Sequence, residues 1–377
     1  MARAHAPVRR ARLRGVTDRQ RMNLLDVLPD EADRLLREFA IARGEPAYRG
    51  TQVAVRLWKN PAPTFAAMTE LPTAFRAALE EHFSLPRLVV AAHHVSTDGT
   101  QKFLFQLPDG QGIETVAIPE GTRLTLCISS QAGCALQCAF CATGKMGLQR
   151  NLEAWEIAGQ VREMRLLDPP LRVTNVVFMG MGEPMMNWPR VSTALSLLNR
   201  SDALGIGARH ITVSTVGVLP GILALGERPE QFRLAISVHA PSDALRRELM
   251  PVNVKYPLAD VIAAAKQFDR RVTFEYVLLG GVNDAPEHAM NLARLAKECR
   301  AFVNLIPLHP GGTQEFRPSS PDRVRAFTRE LRKAEVEVAV RKSRGTDIAA
   351  ACGQLRVERL GRRPPRGPDE HREVHVV

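Results

Sequence analysis

Long apolar runs are missing from this 377-residue sequence. None approaches the roughly 18 residues that a membrane span requires, which argues against a membrane-embedded helix. The N-terminal stretch MARAHAPVRRARLRG also lacks the apolar segment of a secretory signal, so the expected location is the cytoplasm. Cysteine is sparse: there are six, and three of them crowd between positions 134 and 141. Such a distribution argues against a secreted disulfide framework and for a metal site in a reducing compartment. Acidic residues fall short of basic ones, 40 against 51. A basic excess suits a polyanionic partner, nucleic acid or an acidic membrane face, although charge also serves plain solubility.

The length allows one large domain and a smaller one. Residues 1–20, with Arg9, Arg10, Arg12 and Arg14, and residues 356–377, rich in Arg, Pro and His, read as disordered basic tails. Within 21–88 apolar residues recur at helical spacing, as in Leu35, Leu36, Phe39 and Ala40, which predicts a small helical domain. Residues 89–120 alternate in short runs broken by DGT and PDGQG, the pattern of a β-hairpin extension. From 121 to 355 short apolar runs near 124–129, 174–180, 210–216, 232–238, 272–278 and 302–306 are each followed by a helical pattern. Six βα units predict an α/β fold, an open partial (β/α)6 barrel whose ligands gather at the C-terminal strand ends. The motifs CALQCAFC, GMGEP, STVG, SVHAP, GGVND and PLHP fall at those ends.

Cys134, Cys138 and Cys141 form C-x3-C-x2-C on the loop after the first of these strands. Three thiolates this close in sequence can converge on one inorganic centre at low entropic cost. Zinc usually takes four protein ligands, and neither Cys nor His stands near enough in sequence to be the fourth. A [4Fe-4S] cluster on three cysteines leaves one iron open to chelate the amino and carboxylate groups of S-adenosylmethionine (SAM).

With Phe140 before the last cysteine, the pattern resembles that of the radical-SAM superfamily. From Asn23 to about Leu355 the sequence is similar to the bacterial 23S rRNA adenine-C2 methyltransferases, dual-specificity enzymes that also methylate tRNA. IETVAIP, SSQAGCALQCAFCATG, NVVFMGMGEP, NLIPLHP and RKSRGTDIAAACGQL carry the match. The resemblance implies a radical-SAM barrel in which Gly182 and Glu183 contact the amino end of SAM. Ser214, Ser237, Val238 and His239 would bind its hydroxyls and adenine. Alone, Gly-Glu-Pro is a common turn and each serine an ordinary turn residue. At His309, a further SAM contact, the family usually has Asn; imidazole also offers a donor and an acceptor, but adds bulk and a titratable proton.

Adenine C2 has no lone pair with which to attack a sulfonium. The resemblance implies an answer that uses two SAM molecules per turnover. Cys352 takes a methyl group from one, a 5′-deoxyadenosyl radical from the other removes hydrogen from that methyl, and the carbon radical adds to C2. Cys127 then forms a disulfide with Cys352 to release the product, with Glu114 as the base. The residues themselves agree in part: Thr125, Cys127 and Ser129 share one face of a strand. The resemblance further implies a monomer, a reductant such as flavodoxin or ferredoxin, and as substrates an adenine in the peptidyl-transferase region of 23S rRNA and the one beside the anticodon in tRNA. Arg341, Lys342 and Arg344 offer a basic run for RNA phosphates, or a solvated charged strand. Two other readings stand beside this one: an adenine-C8 rRNA methyltransferase of the same superfamily, and a non-catalytic iron–sulfur RNA-binding or electron-transfer protein.

Overall fold

The computed structural model describes residues 21–308, 315–351 and 353–355. Both basic tails, His309 and Cys352 lie outside the described residues. One ten-stranded sheet dominates, with strands β1 (Val89–Val95), β2 (Gln101–Gln106), β3 (Gly112–Glu120), β4 (Arg123–Cys127), β5 (Asn175–Phe178), β6 (Ile211–Thr215), β7 (Arg233–Ser237), β8 (Val272–Leu278), β9 (Phe302–Pro307) and β10 (Val338–Val340). They lie side by side in chain order. From β4 to β10 every pairing is parallel. Parallel neighbours need a crossover, and the helical patterns between the apolar runs supply it.

The structure adds three features to the sequence reading. A short seventh parallel strand, β10, follows the helix Pro321–Lys333 and widens the expected set of six. The hairpin strands of 89–120 extend the barrel sheet itself, β1–β3 adding to its β4 edge through successive antiparallel pairings. A helix, Asp243–Leu249, stands between β7 and the helix Leu258–Gln267.

Helix ends follow local chemistry. Ser320 accepts a hydrogen bond from the Arg323 amide ahead of Pro321, and Glu153 with Glu156 forms a reciprocal capping box for Ala154–Arg165. The helix Pro286–Cys299 buries Ala289, Leu292, Ala293 and Ala296, a stripe of i, i+3, i+4, i+7 spacing, against the sheet.

Helices α1 (Pro29–Ala42), α2 (Tyr48–Leu57) and α3 (Thr73–His82) form the N-terminal unit. Its apolar side chains belong to the same continuous core as those of the barrel. A buried cation joins the two: Arg162, on the helix Ala154–Arg165, donates to the carbonyls of Leu57 (2.8 Å) and Ala62 (2.6 Å). Burial pulls its pKa down to about 10 despite the Glu163 carboxylate nearby. No helix among the described residues is long and apolar enough to cross a membrane.

Candidate active site

After β4 the chain enters an antiparallel ribbon, Gln131–Gly133 against Leu148–Asn151, that presents the three-cysteine loop. Gly133 has φ +79°, and a Cβ there would lie 1.9 Å from the Gly147 carbonyl oxygen, so the ribbon tolerates only glycine. The loop is then pinned by backbone bonds: Cys134 N–H to Gly147 O (3.0 Å), Ala139 N–H to Leu249 O (2.9 Å) and Cys141 N–H to Cys138 O (3.0 Å). Cys138 and Phe140 pack into a second apolar cluster with Ala240, Leu249, Met250 and Val277. Burial pushes the Cys134 thiol up to about 11, and Cys138, more deeply buried, higher still. The neighbouring cysteines and Glu183 add to both shifts. Thiols in such a place ionise only against a bound positive centre.

Across from the loop, GMGEP leaves the end of β5. At Gly180 a Cβ would meet the Ile128 carbonyl oxygen at 2.6 Å, and at Gly182 (φ +97°) it would meet the Gln131 Cβ at 2.5 Å. Two glycines therefore let this turn lie flat against the cluster strand. Glu183 is buried at the end of the turn, where its carboxylate accepts from the amides of Met185 (3.1 Å) and Val216 (2.9 Å). Burial outweighs these bonds and pushes Glu183 up to about 7.

Ser214, Ser237 and His239 come from the ends of β6 and β7 and line the same cleft as Glu183, Gly182, Cys127 and Cys141. His239 Nδ1 accepts from the Val277 amide (3.0 Å), which leaves Nε2 to carry the proton. Burial, helped by the Arg246 charge, pulls its pKa down to about 3, so the ring is neutral. Phe140 meets it edge-on, with ring centroids 4.7 Å apart. Val238 is placed differently: fully buried, it does not line the cleft.

The other wall of the cleft is the segment after β10. Arg341, Ser343, Arg344, Ala350, Ala351, Gly353 and Leu355 line it, on both sides of position 352. This segment is held at two ends. On the hairpin side Ser96 Oγ donates to Asp347 (2.5 Å), the Thr97 amide donates to the same carboxylate (3.1 Å), and the Gly345 amide donates to Asp98 (3.0 Å). On the cluster side the Ala142 amide donates to Gly353 O (2.8 Å) and Thr143 Oγ1 to Leu355 O (2.7 Å). Glu114, on β3, is buried behind the cleft wall and pairs with Lys102 Nζ at 3.0 Å; Lys102 also reaches the Ala349 carbonyl (3.4 Å).

One cleft residue escaped the sequence reading. Glu275 on β8 stands in register between Ser237 and Asn304. It is buried, lines the cleft and accepts from Asn304 Nδ2 (2.9 Å). Burial raises its pKa against the opposing pull of Arg341 and Asn304. Its signal was a lone carboxylate inside the apolar run VTFEYVLL, where an unpaired charge is expensive.

Comparison with known proteins agrees with this geometry. Residues 128–293 match the model of the Radical SAM superfamily. The "Probable dual-specificity RNA methyltransferase RlmN" of Gemmatimonas aurantiaca is 68% identical over 355 residues, 94% of this chain and 99% of the relative. The "Dual-specificity RNA methyltransferase RlmN" of Marinomonas sp. is 44% identical over 354 residues, 90% of this chain and 94% of that one. A crystal structure of a radical SAM methyltransferase from Sphaerobacter thermophilus superposes with a TM-score of 0.83 at 43% identity, covering 89% of this chain and all of the other. With two relatives matched at these levels over almost their whole length, the chain belongs to the dual-specificity RNA methyltransferase RlmN family of radical SAM enzymes.

Proposed function

We propose that this protein methylates C2 of an adenine in the peptidyl-transferase region of 23S rRNA and of the adenine beside the anticodon in tRNA, with Cys352 as the methyl carrier. The observation that carries the reading is one cleft shared by the three-cysteine loop, the Gly-Glu turn, Cys127 and the segment on both sides of position 352. The donor set fits a [4Fe-4S] cluster and SAM: two buried thiols, Cys134 and Cys138, and the half-buried Cys141 on one pinned loop, and a buried carboxylate opposite them. When bound, these groups supply a methyl group and a hydrogen-abstracting radical, drawing one electron from a reductant such as flavodoxin or ferredoxin.

The chain's own residues supply the rest. Glu183 accepts hydrogen bonds from the SAM ammonium, whose positive charge offsets the cost of ionising a buried carboxylate. Ser214 and Ser237 orient ribose hydroxyls, and neutral His239 offers its Nε2–H as a fixed donor. Phe140 holds that imidazole in place. Cys352 Sγ takes the methyl carbon, and Cys127 Sγ later bonds to Cys352 Sγ as the carbon–sulfur bond to the product breaks. Glu114 takes the C2 proton, and Lys102 keeps its carboxylate beside the carrier segment. Arg341 and Arg344 at the cleft hold backbone phosphate, and the target base must be unstacked to enter.

Mass spectrometry of nucleosides from RNA treated with anaerobically reconstituted protein, SAM and reductant tests the reading. 2-Methyladenosine is the expected product. 8-Methyladenosine would move the enzyme to the C8 chemistry, and SAM cleavage without any RNA product would leave the RNA assignment unsupported.

A further inference from the structure

One fully buried charge is included neither in the cleft lining nor in the sequence motifs. Arg246, on the helix Asp243–Leu249, is 0% exposed. A buried guanidinium normally sits against a carboxylate. Among the described residues Arg246 has no carboxylate within ion-pairing distance, and its hydrogen-bond acceptors are neutral. Nη1 donates to Asn253 Oδ1 (2.6 Å), and Nη2 to the carbonyls of Val216 and Ser237 (3.4 Å for the latter). Nε is buried with no hydrogen-bond partner. Asp243 stands one amide away, joined through Asn253 Nδ2 (2.7 Å).

The surroundings indicate what this charge faces. The same helix ends at Leu249, whose carbonyl accepts from the Ala139 amide next to Cys138, and Leu249 and Met250 pack on Cys138 and Phe140. Val216 and Ser237, which Nη2 bridges, are the ends of the strands that present Glu183's amide partner and a cleft serine. The guanidinium thus lies between the three-cysteine loop and the strand ends opposite it.

We propose that Arg246 is a positioning residue that also sets the redox poise of the cluster: its buried cation raises the reduction potential by favouring the more negative, reduced form. The proposal rests on the reading of Cys134, Cys138 and Cys141 as the cluster ligands. A cluster on three thiolates is already net negative, and reduction adds one electron and no proton in a site this dry. A fixed cation nearby therefore stabilises the reduced form more than the oxidised one. The same cation supplies the counter-charge balance that the surrounding carbonyls cannot.

The test is a mediated redox titration of the full-length, anaerobically reconstituted protein, without SAM or RNA, followed by electron paramagnetic resonance of the reduced cluster. Arg246→Gln is expected to make reduction about tenfold less favourable at a given potential, a midpoint about 59 mV more negative. Arg246→Lys, which keeps the charge and loses the fork, should stay near the wild type. Asp243→Asn keeps an acceptor for Asn253 and for the Leu258 amide while removing the nearest negative charge, so its midpoint should move the other way, by less. This variant keeps the test decisive if Arg246→Gln fails to load a cluster. An unchanged midpoint in Asp243→Asn, or an Arg246→Lys shift as large as that of Arg246→Gln, would overturn the electrostatic role. Failure of the wild-type chain to bind iron would instead overturn the ligand assignment.

Discussion

The two walls of the cleft are built by different means. The wall of strand ends gathers Gly182, Glu183, Ser214, Ser237 and His239 from neighbouring parallel strands, so the sheet register itself brings them together. The carrier wall after β10 relies on side-chain clasps to distant places: Asp347 reaches Ser96, 251 residues away in sequence, and Leu355 reaches Thr143, 212 away. A register-built wall is rigid because moving one residue means breaking a sheet ladder. A clasped wall moves when a few hydrogen bonds let go, which suits the carrier role proposed for this segment, in which it would accept a methyl group, present it to a base and then meet Cys127. Perturbing the first wall should abolish binding and cleavage of SAM, and perturbing the second should leave cleavage and lose transfer.

The largest effect belongs to the cluster loop. Cys138→Ala removes the most buried of the three thiols and should reduce both iron content and reductive SAM cleavage to background, read by iron analysis and by chromatography of 5′-deoxyadenosine. A variant that still cleaves SAM would remove the cluster assignment and with it the division between the walls.

Next come the two cysteines of the proposed transfer cycle, Cys352 and Cys127. Cys352→Ala should leave SAM binding intact and form neither methylated protein nor RNA adduct. Cys127→Ala should still methylate Cys352 and add to adenine, but lacks the thiol that resolves the thioether, so a covalent protein–RNA species accumulates. Denaturing electrophoresis, nuclease digestion and peptide mass spectrometry would find adenosine joined to Cys352 through one carbon. Normal turnover of the Cys127 variant would exclude this cycle.

That contrast between the walls also explains what the sequence revealed. Strands with apolar runs such as NVVF and ITVST, each followed by an amphipathic helix, made the parallel sheet readable, and the motifs at their ends marked the first wall. The clasps had no such mark, because the contact of Ser96 with Asp347 depends on where β1 and β2 fall in the sheet, a matter of long-range pairing. β10, three residues long, carries too little pattern to register as a strand. Arg246 and its neighbour Arg247 look alike in DALRREL, yet the first is buried and the second exposed. Helical spacing alone did not single out Arg246, since the apolar stripe of this short helix is narrow.

Glu183 allows a subtler test of the first wall. Its pKa is raised from 4.5 to about 7 in the folded protein by burial. A carboxyl that holds its proton more tightly when folded favours the folded state fully below about pH 4.5. That contribution, on the order of 3 kcal/mol, is lost as pH rises through about 7. SAM binding runs the opposite way, because the ammonium needs the ionised form: affinity should fall as pH drops below about 7. Glu183→Gln should bind SAM more weakly, with little pH dependence in that window, and should lose less stability between pH 5 and pH 8 than the wild type (pH values about those of common buffers). Isothermal titration and thermal melts across that range would check both; a wild-type affinity that is flat below pH about 7 contradicts the role given to Glu183.

The smallest effects are expected at the two clasps of the carrier wall, and they separate its ends. Thr143→Val is nearly isosteric and removes the bond to the Leu355 carbonyl, which leaves that acceptor unpaired in a buried place at a cost of about 1 kcal/mol. Asp347→Asn keeps one carbonyl oxygen where Ser96 Oγ and the Thr97 amide each bond a separate carboxylate oxygen, so one of the two bonds is lost with the charge, at an exposed position where water can substitute. Neither change touches the strand ends, so SAM affinity and the yield of 5′-deoxyadenosine per cluster should match the wild type. Methyl transfer to Cys352 should slow in both, by about fivefold for Thr143→Val and by less for Asp347→Asn. Quenched-flow labelling with methyl-tritiated SAM, counted on the isolated protein, measures that step directly. Equal slowing of SAM cleavage and methyl transfer would mean that the clasps hold the whole cleft, and the proposed division between a register-built wall and a clasped one would not stand.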